Sequence, residues 1–272
     1  MLTALNCYNQ LVVGIDNRPT DGPFRCPECG ETVFHRAPRD RVWHFYHQMD
    51  RQCGYESSES PIHYDCKIRI FRSLREHYKV SSCMPEFKIG NRRADLYAII
   101  ADQPVAIEIQ NSDIHRQEIQ AKLEHYTATG VSCLYLLPHS IPQGNLQAVE
   151  WKRYLHAMYM QNLYYWAPTG KLRDGRIVMD NAQVRILHMG SYKDYPQPGN
   201  WTERHLLQPR PIFDTRQSIS ICDFAPLMRH RDELRSRYLG ITDALLWQHQ
   251  LGDWWTTKSD FEWQLPQLQF AA

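Results

Sequence analysis

The chain has 272 residues, of which 43% are hydrophobic and 22% charged. This describes a folded globular protein with a sizeable core, in one large domain or two modest ones. The formal net charge of +1 excludes a uniformly basic, nucleic-acid-coating chain, so a polyanion must meet a local patch. The start, MLTALNCYNQLVVGIDNRP, has no basic n-region and no sustained apolar run, so no signal peptide is expected. Leu11 to Gly14 reads as a short strand closing in a turn. Residues 24–50 form a compact Cys/His module, and 51–60 (RQCGYESSES) are loop-like. A helix is predicted from about Ser58 to Tyr78, with Ile62, Cys66, Ile70 and Leu74 at helical spacing and Pro61 in its first turn. Residues 93–100 (RADLYAII) and 105–110 (VAIEIQ) read as a hairpin turning at Ala101-Asp102-Gln103-Pro104. A second helix is predicted from Asp113 to Thr129, with Gly130 just past its end, then a buried strand VSCLYLL stopped by Pro138. The order helix, strand, strand, helix, strand indicates an α/β domain with a mixed sheet.

Beyond residue 150 the character changes. Trp151, Trp166, Trp201, Trp247, Trp254, Trp255 and Trp263 fall here, and Pro196, Pro198, Pro209 and Pro211 break the middle. A helix near 149–161, hairpin-like runs to about 190, a long loop and helices near 223–250 are expected. No stretch approaches the ~20 apolar residues that span a bilayer. A reducing, cytoplasmic setting is therefore expected, in which the eight cysteines are not read as disulfides.

The spacing Cys26-x2-Cys29-x14-His44-x2-His47 offers four soft or borderline ligands, as tetrahedral zinc requires. Four protein ligands leave no open position, so the expected site is structural. A variant set exchanges Cys53 or His35 for one histidine.

Strand side chains alternate faces, so Glu108 and Gln110 share one. In a hairpin turning between Asp102 and Gln103, Asp95 lies opposite Gln110 and Tyr97 opposite Glu108. Asp95, Glu108 and Gln110 then converge, provided the register does not slip by one residue. Glu108 sits among apolar Ala106, Ile107 and Ile109, where even an unpaired polar group costs about 2–7 kcal/mol. A divalent cation removes that penalty, and a carboxylate pair holding Mg²⁺ suits phosphate chemistry. The alternative pairs Asp95 with Arg92 or Arg93 and leaves Glu108 in a structural ion pair. Glu59, His63 and Lys67, spaced i, i+4, i+8, fall within about 80° of one helix face. They add an acid, a potential base and a cation.

Three segments, CPECG–HFYH, ESPIHYDCK and RRADLYAIIADQPVAIEIQNSDI, together resemble the competence protein CoiA-like family. The nuclease core of that family is similar to the PD-(D/E)XK, or restriction-endonuclease-like, fold. The resemblance covers roughly residues 24–170. It implies a zinc-binding module over 1–55 and a nuclease core over 56–145 with a mixed sheet flanked by helices, and composition sets apart a mixed, Trp-rich region over 146–272. Asp95 takes the motif's aspartate position, although Ala94 precedes it where proline is usual, and Glu108 takes the second acidic position. Both are expected to bind Mg²⁺ or Mn²⁺. Gln110 stands where many such nucleases carry lysine; it can orient water or phosphate but brings no charge, and Lys67 is the expected replacement. Glu59 and His63 match helix positions that assist metal binding or proton transfer. Lys122 and Tyr126, one turn apart, are expected either to contact phosphate and a base or to be a solvated lysine and a core tyrosine.

The implied activity is metal-dependent hydrolysis of single- or double-stranded DNA, in uptake, recombination, repair or phage defence, with protein partners in those processes. Arg229, His230, Arg231, Arg235 and Arg237 on an expected helix, and Arg36, Arg39 and Arg41 in the zinc module, are candidate phosphate contacts. Two other readings compete. Gln110 favours a catalytically weak DNA-binding or recombination-assisting scaffold. A zinc-dependent interaction protein with a structural acidic hairpin is the third.

Overall fold

Two sheets and a ribbon organise the computed structural model, which describes residues 1–38, 42–48, 53, 59–138, 150–160, 162–189, 211–213, 218–231 and 241–249. The smaller sheet is built from the N-terminal strands β1 (Thr3–Leu5), β2 (Leu11–Val13), β3 (Phe24–Arg25), β4 (Thr32–Arg36) and β5 (His44–Tyr46), in the order β2-β1-β3-β4-β5. Among the described residues its buried apolar cluster is Ala4, Phe24, Cys26, Val33 and Phe45, with Met1, Val12 and Cys53 packed against it. So small an apolar cluster needs a further staple.

Helix α1 spans Pro61–Arg75, shorter than predicted at both ends. Ser60 caps it, its Oγ accepting from His63 N at 3.2 Å, and Pro61 occupies the first helical position, where no donor is lost. Cys66, Ile70 and Leu74 are buried as expected, with Phe71, whereas Ile62 is half exposed. Lys67 lies on the same inner face and is fully buried.

Strands β6 (Val80–Ile89), β7 (Arg92–Ile100) and β8 (Gln103–Ile109) form an antiparallel meander. Helix α2 (Arg116–Ala128) then returns the chain to β9 (Ser132–Leu137), which runs parallel to β8. Helix α3 (Glu150–Met158) leads to β10 (Leu163–Trp166), parallel to β9. Among the described residues, strands β11 (Thr169–Arg173) and β12 (Arg176–Asp180) pair only with each other. The large sheet continues through β13 (Gln183–Met189) to β14 (Pro211–Phe213) and β15 (Ile219–Ser220). The expected mixed sheet is present, with few helices among the described residues. It also runs on past residue 145, so the region from 146 extends the same sheet and core.

The helices expected near 223–250 are not found among the described residues. Strands β16 (Phe224–Arg229) and β17 (Ala244–His249) pair with each other, and Leu246 of β17 pairs with Cys133 of β9. The run ALLWQH has no intrinsic bar to helix, but a free position beside β9 gives its backbone and side chains a sheet to join, and context overrides propensity. Trp151, Trp166 and Trp247 are buried, each with its indole N–H donating to a protein oxygen, so they belong to the core. Trp201, Trp254, Trp255, Trp263, Arg39, Arg41, Arg235 and Arg237 lie outside the described residues. Among the described residues, no helix is long and apolar enough to cross a membrane.

Candidate metal and active site

The hairpin register differs from the expected one by two residues. Ala101 and Asp102 alone make the turn, with φ of 48° and 62°, and Ile100 pairs with Gln103. Two positive φ values give the tight turn whose twist matches the flanking strands, so Pro104 lies in the strand opposite Ile99 and not in the turn. Tyr97 faces Ala106 and Leu96 faces Ile107, so the next step brings Asp95 beside Glu108 and not Gln110. A shift of two residues preserves the face, which is why the expected convergence of Asp95 with Glu108 survives.

Asp95 meets helix α1 directly. Its Oδ1 lies 3.1 Å from His63 Nε2 and 3.6 Å from Lys67 Nζ, and its Oδ2 accepts from Ile109 N at 2.8 Å. Burial works to raise the Asp95 carboxyl, but the His63 ring, the Lys67 ammonium and the Ile109 N–H hold it well below the usual carboxylate range. Glu59, just ahead of the helix cap, accepts from Lys67 Nζ at 2.7 Å. Ligand atoms of Glu59, His63 and Asp95 all lie within 4.8 Å of one another. His63 Nε2 is buried and not aligned for a hydrogen bond, as suits a nitrogen turned toward a shared ion. Two carboxylates and one imidazole therefore fit a divalent cation.

Glu108 is outside that trio. Tyr126 OH donates to its Oε1 at 2.5 Å and Lys122 Nζ to its Oε2 at 2.8 Å. Burial pushes the Glu108 carboxyl above its ordinary range; Lys122 opposes the rise and neighbouring Asp95 adds to it. Lys122 is partly exposed and Tyr126 fully buried. Gln110 turns its amide away, donating to Ser112 O at 2.6 Å.

Lys67, expected as the cation at the reaction centre, has no exposed surface and sits among Glu59, Glu86 and Asp95. Burial works against its charge, but Glu86, Asp95 and Glu59 outweigh it and hold its pKa above the usual lysine range. Glu86 was not foreseen from the sequence. The available signal is weaker than the one that singled out Glu108: an acid between apolar Pro85 and Phe87, in a strand that also carries Ser81, Ser82 and Lys88.

In the N-terminal module Cys26, Cys29, His47 and Cys53 place their ligand atoms within 4.8 Å of one another. Cys53 takes the place expected for His44. His44 is held elsewhere, its Nδ1–H donating to Val42 O at 2.8 Å, and His35 bonds to Gly14 O. Cys26 and Cys53 sulfurs are 3.7 Å apart; zinc–sulfur bonds of ~2.3 Å in a tetrahedron place two sulfurs about 3.8 Å apart. Cys29 Sγ lies 3.2 Å from His47 Nε2. Burial pushes the Cys26 thiol up to about 12. For Cys29 burial also pushes upward, but the Glu31 N–H and His47 bring it down to about 7. The group can hold a metal ion, and three thiols with one imidazole fit zinc.

Of the two basic clusters, Arg36 stacks on Tyr46, while Arg229 ends β16 and is buried. His230 and Arg231 are exposed.

Residues 12–56 match the family described as "Competence protein CoiA, N-terminal domain", and residues 59–171 match "Competence protein CoiA, nuclease-like domain". Competence protein CoiA of Bacillus subtilis (strain 168) is 24% identical over 144 residues, which are 53% of this chain and 36% of that protein. The match thus spans little more than a third of that relative's length. No solved structure matches. The two family matches adjoin in the order of the family and together cover more than half of the chain, so it belongs to the competence protein CoiA-like family.

Proposed function

We propose that the protein is a Mg²⁺- or Mn²⁺-dependent nuclease that hydrolyses DNA phosphodiester bonds on a restriction-endonuclease-like core. The observation that carries this reading is the convergence of Glu59, His63 and Asp95 on one point. The order α1-β6-β7-β8-α2-β9, with β9 parallel to β8, supports the core assignment. Glu59, His63 and Asp95 would hold the ion, and a bound divalent ion polarises a phosphoryl oxygen and acidifies a water. Glu108, beside Asp95 and with its carboxyl raised, is suited to accept the proton of the attacking water. Lys122, paired to Glu108 and partly exposed, is the lysine able to meet a phosphate; Lys67 is not, because it is enclosed. The Cys26, Cys29, His47 and Cys53 site is structural zinc in this reading. Family membership supports a task in competence, through DNA uptake or recombination, in the cytoplasm.

The test is cleavage of single- and double-stranded DNA with Mg²⁺ or Mn²⁺. Asp95→Ala and Glu108→Ala should each lower kcat by ~10²–10³-fold or more. Unchanged cleavage in both variants would sink the assignment. Gln110 favours a second reading, a DNA-binding scaffold with little chemistry, because its amide is committed to Ser112 and brings no charge. DNA binding retained without any cutting in the wild type would select that reading.

A further inference from the structure

Glu86 is a buried acid in contact with Lys67 beside the site. It reaches in two directions. Its Oε2 accepts from Leu2 N at 2.7 Å, from Thr3 N at 3.2 Å and from Thr3 Oγ1 at 3.3 Å. Its Oε1 accepts from Lys67 Nζ at 3.3 Å. The backbone is distorted to achieve this. Glu86 has φ of 52° within β6, and it drops out of the pairing that holds Pro85 to Leu96 and Phe87 to Ala94. A non-glycine residue in the left-handed region costs about 1–3 kcal/mol and persists only where its surroundings hold it, often beside a functional site.

The charge count gives the arrangement its meaning. Lys67 is fully enclosed and contacts Glu59, Asp95 and Glu86. Two of these, Glu59 and Asp95, belong to the trio with His63. Without Glu86, the Lys67 ammonium would cancel half the negative charge that those two carboxylates offer to a cation. With Glu86, the carboxylates in contact with Lys67 outnumber it by two, which suits one divalent ion when His63 is neutral, as a ligand must be; the N-terminal ammonium and Arg93 act on Glu86 as well. A charge at such short range in a buried site changes cation affinity strongly.

We propose that Glu86 is a positioning residue that balances Lys67, leaving Glu59 and Asp95 at full charge toward a divalent cation. The proposal rests on the reading of Glu59, His63 and Asp95 as the metal site. Through Leu2 and Thr3 the same carboxylate anchors β1, so the N-terminal sheet and the metal site share one fixed point.

The test is Mn²⁺ titration of the full, zinc-loaded chain, following free Mn²⁺ by electron paramagnetic resonance. Wild type should bind Mn²⁺ at a site lost in Asp95→Ala. Glu86→Gln keeps an oxygen for the Leu2 and Thr3 N–H groups but removes the charge; it should weaken Mn²⁺ at least ~10-fold. The double variant Glu86→Gln/Lys67→Met removes both charges and should bind within ~3-fold of wild type. A purely structural anchor predicts otherwise: the double variant would bind no better than the single one. That result, or wild-type affinity in Glu86→Gln, overturns the role of Glu86 and leaves the metal site standing. Absence of Mn²⁺ binding in wild type overturns both. If Glu86→Gln does not fold, the double variant decides alone: affinity near wild type supports the balance, and a 10-fold loss overturns it.

Discussion

Lys67→Met should lower the stability of the protein by about 3–5 kcal/mol, the loss expected when one partner of a buried charge network is removed. The lysine has no exposed surface, and Glu86 beside it is equally enclosed. Taking away the ammonium leaves Glu86 charged and buried, still fixed by the Leu2 and Thr3 N–H groups, and adds repulsion between it, Glu59 and Asp95. Denaturant unfolding at neutral pH measures the effect, and a loss below ~1 kcal/mol would contradict it. The sign of the pH dependence follows from the shifts. Burial tends to raise the Glu86 and Asp95 carboxyls, yet Lys67 and their hydrogen-bond donors lower both. Their stabilisation is therefore complete above the unfolded values near ~4 and is lost as pH falls through the lowered folded ones. The Lys67 pKa is raised, so its share is complete below ~10.4 and fades as pH rises past the folded value. In Lys67→Met the stranded carboxylates take up protons more readily, so the deficit should shrink as pH drops below ~5.

Zinc removal is expected to unfold the N-terminal sheet. The five residues of its buried apolar cluster among the described residues are too few to hold a five-stranded sheet against chain entropy, whereas structural zinc binding supplies an apparent ~10–16 kcal/mol in zinc-finger peptides. Elemental analysis should find about one zinc per chain. Cys26→Ser and Cys53→Ser should lose the metal and the thermal transition of the module, and His44→Ala should keep both. Zinc retained in Cys53→Ser but lost in His44→Ala would restore the ligand set suggested by spacing alone. Unfolding of the module should also disturb the metal site, because β1 is tied to Glu86.

Much of the site was legible before the structure because it obeys short-range rules. Helical spacing placed Glu59, His63 and Lys67 on one helix face, of which the structure keeps His63 and Lys67 on α1 and sets Glu59 just ahead of its cap, and strand alternation placed Asp95 and Glu108 on one face. These periodicities are properties of the local backbone, so they survive errors in the ends of α1 and a two-residue shift in the hairpin. Long-range choices were less accessible. Whether Cys53 or His44 completes the Cys/His group depends on a contact between Cys26 and Cys53, 27 positions apart, that spacing does not fix. The C-terminal run ALLWQH became a strand because β9 had room for a partner.

The sequence by itself determined the mixed α/β class, the acidic hairpin, the polar face of α1 and the Cys-x2-Cys anchor, since each is written in residues close along the chain. Only the tertiary structure decided which charges neutralise which. It enclosed Lys67 among carboxylates from three separate segments, gave Lys122 and Tyr126 to Glu108, and brought in Glu86 from an unforeseen strand. Those pairings join residues up to 84 positions apart, as from Leu2 to Glu86. They depend on sheet order and burial, which no local pattern encodes.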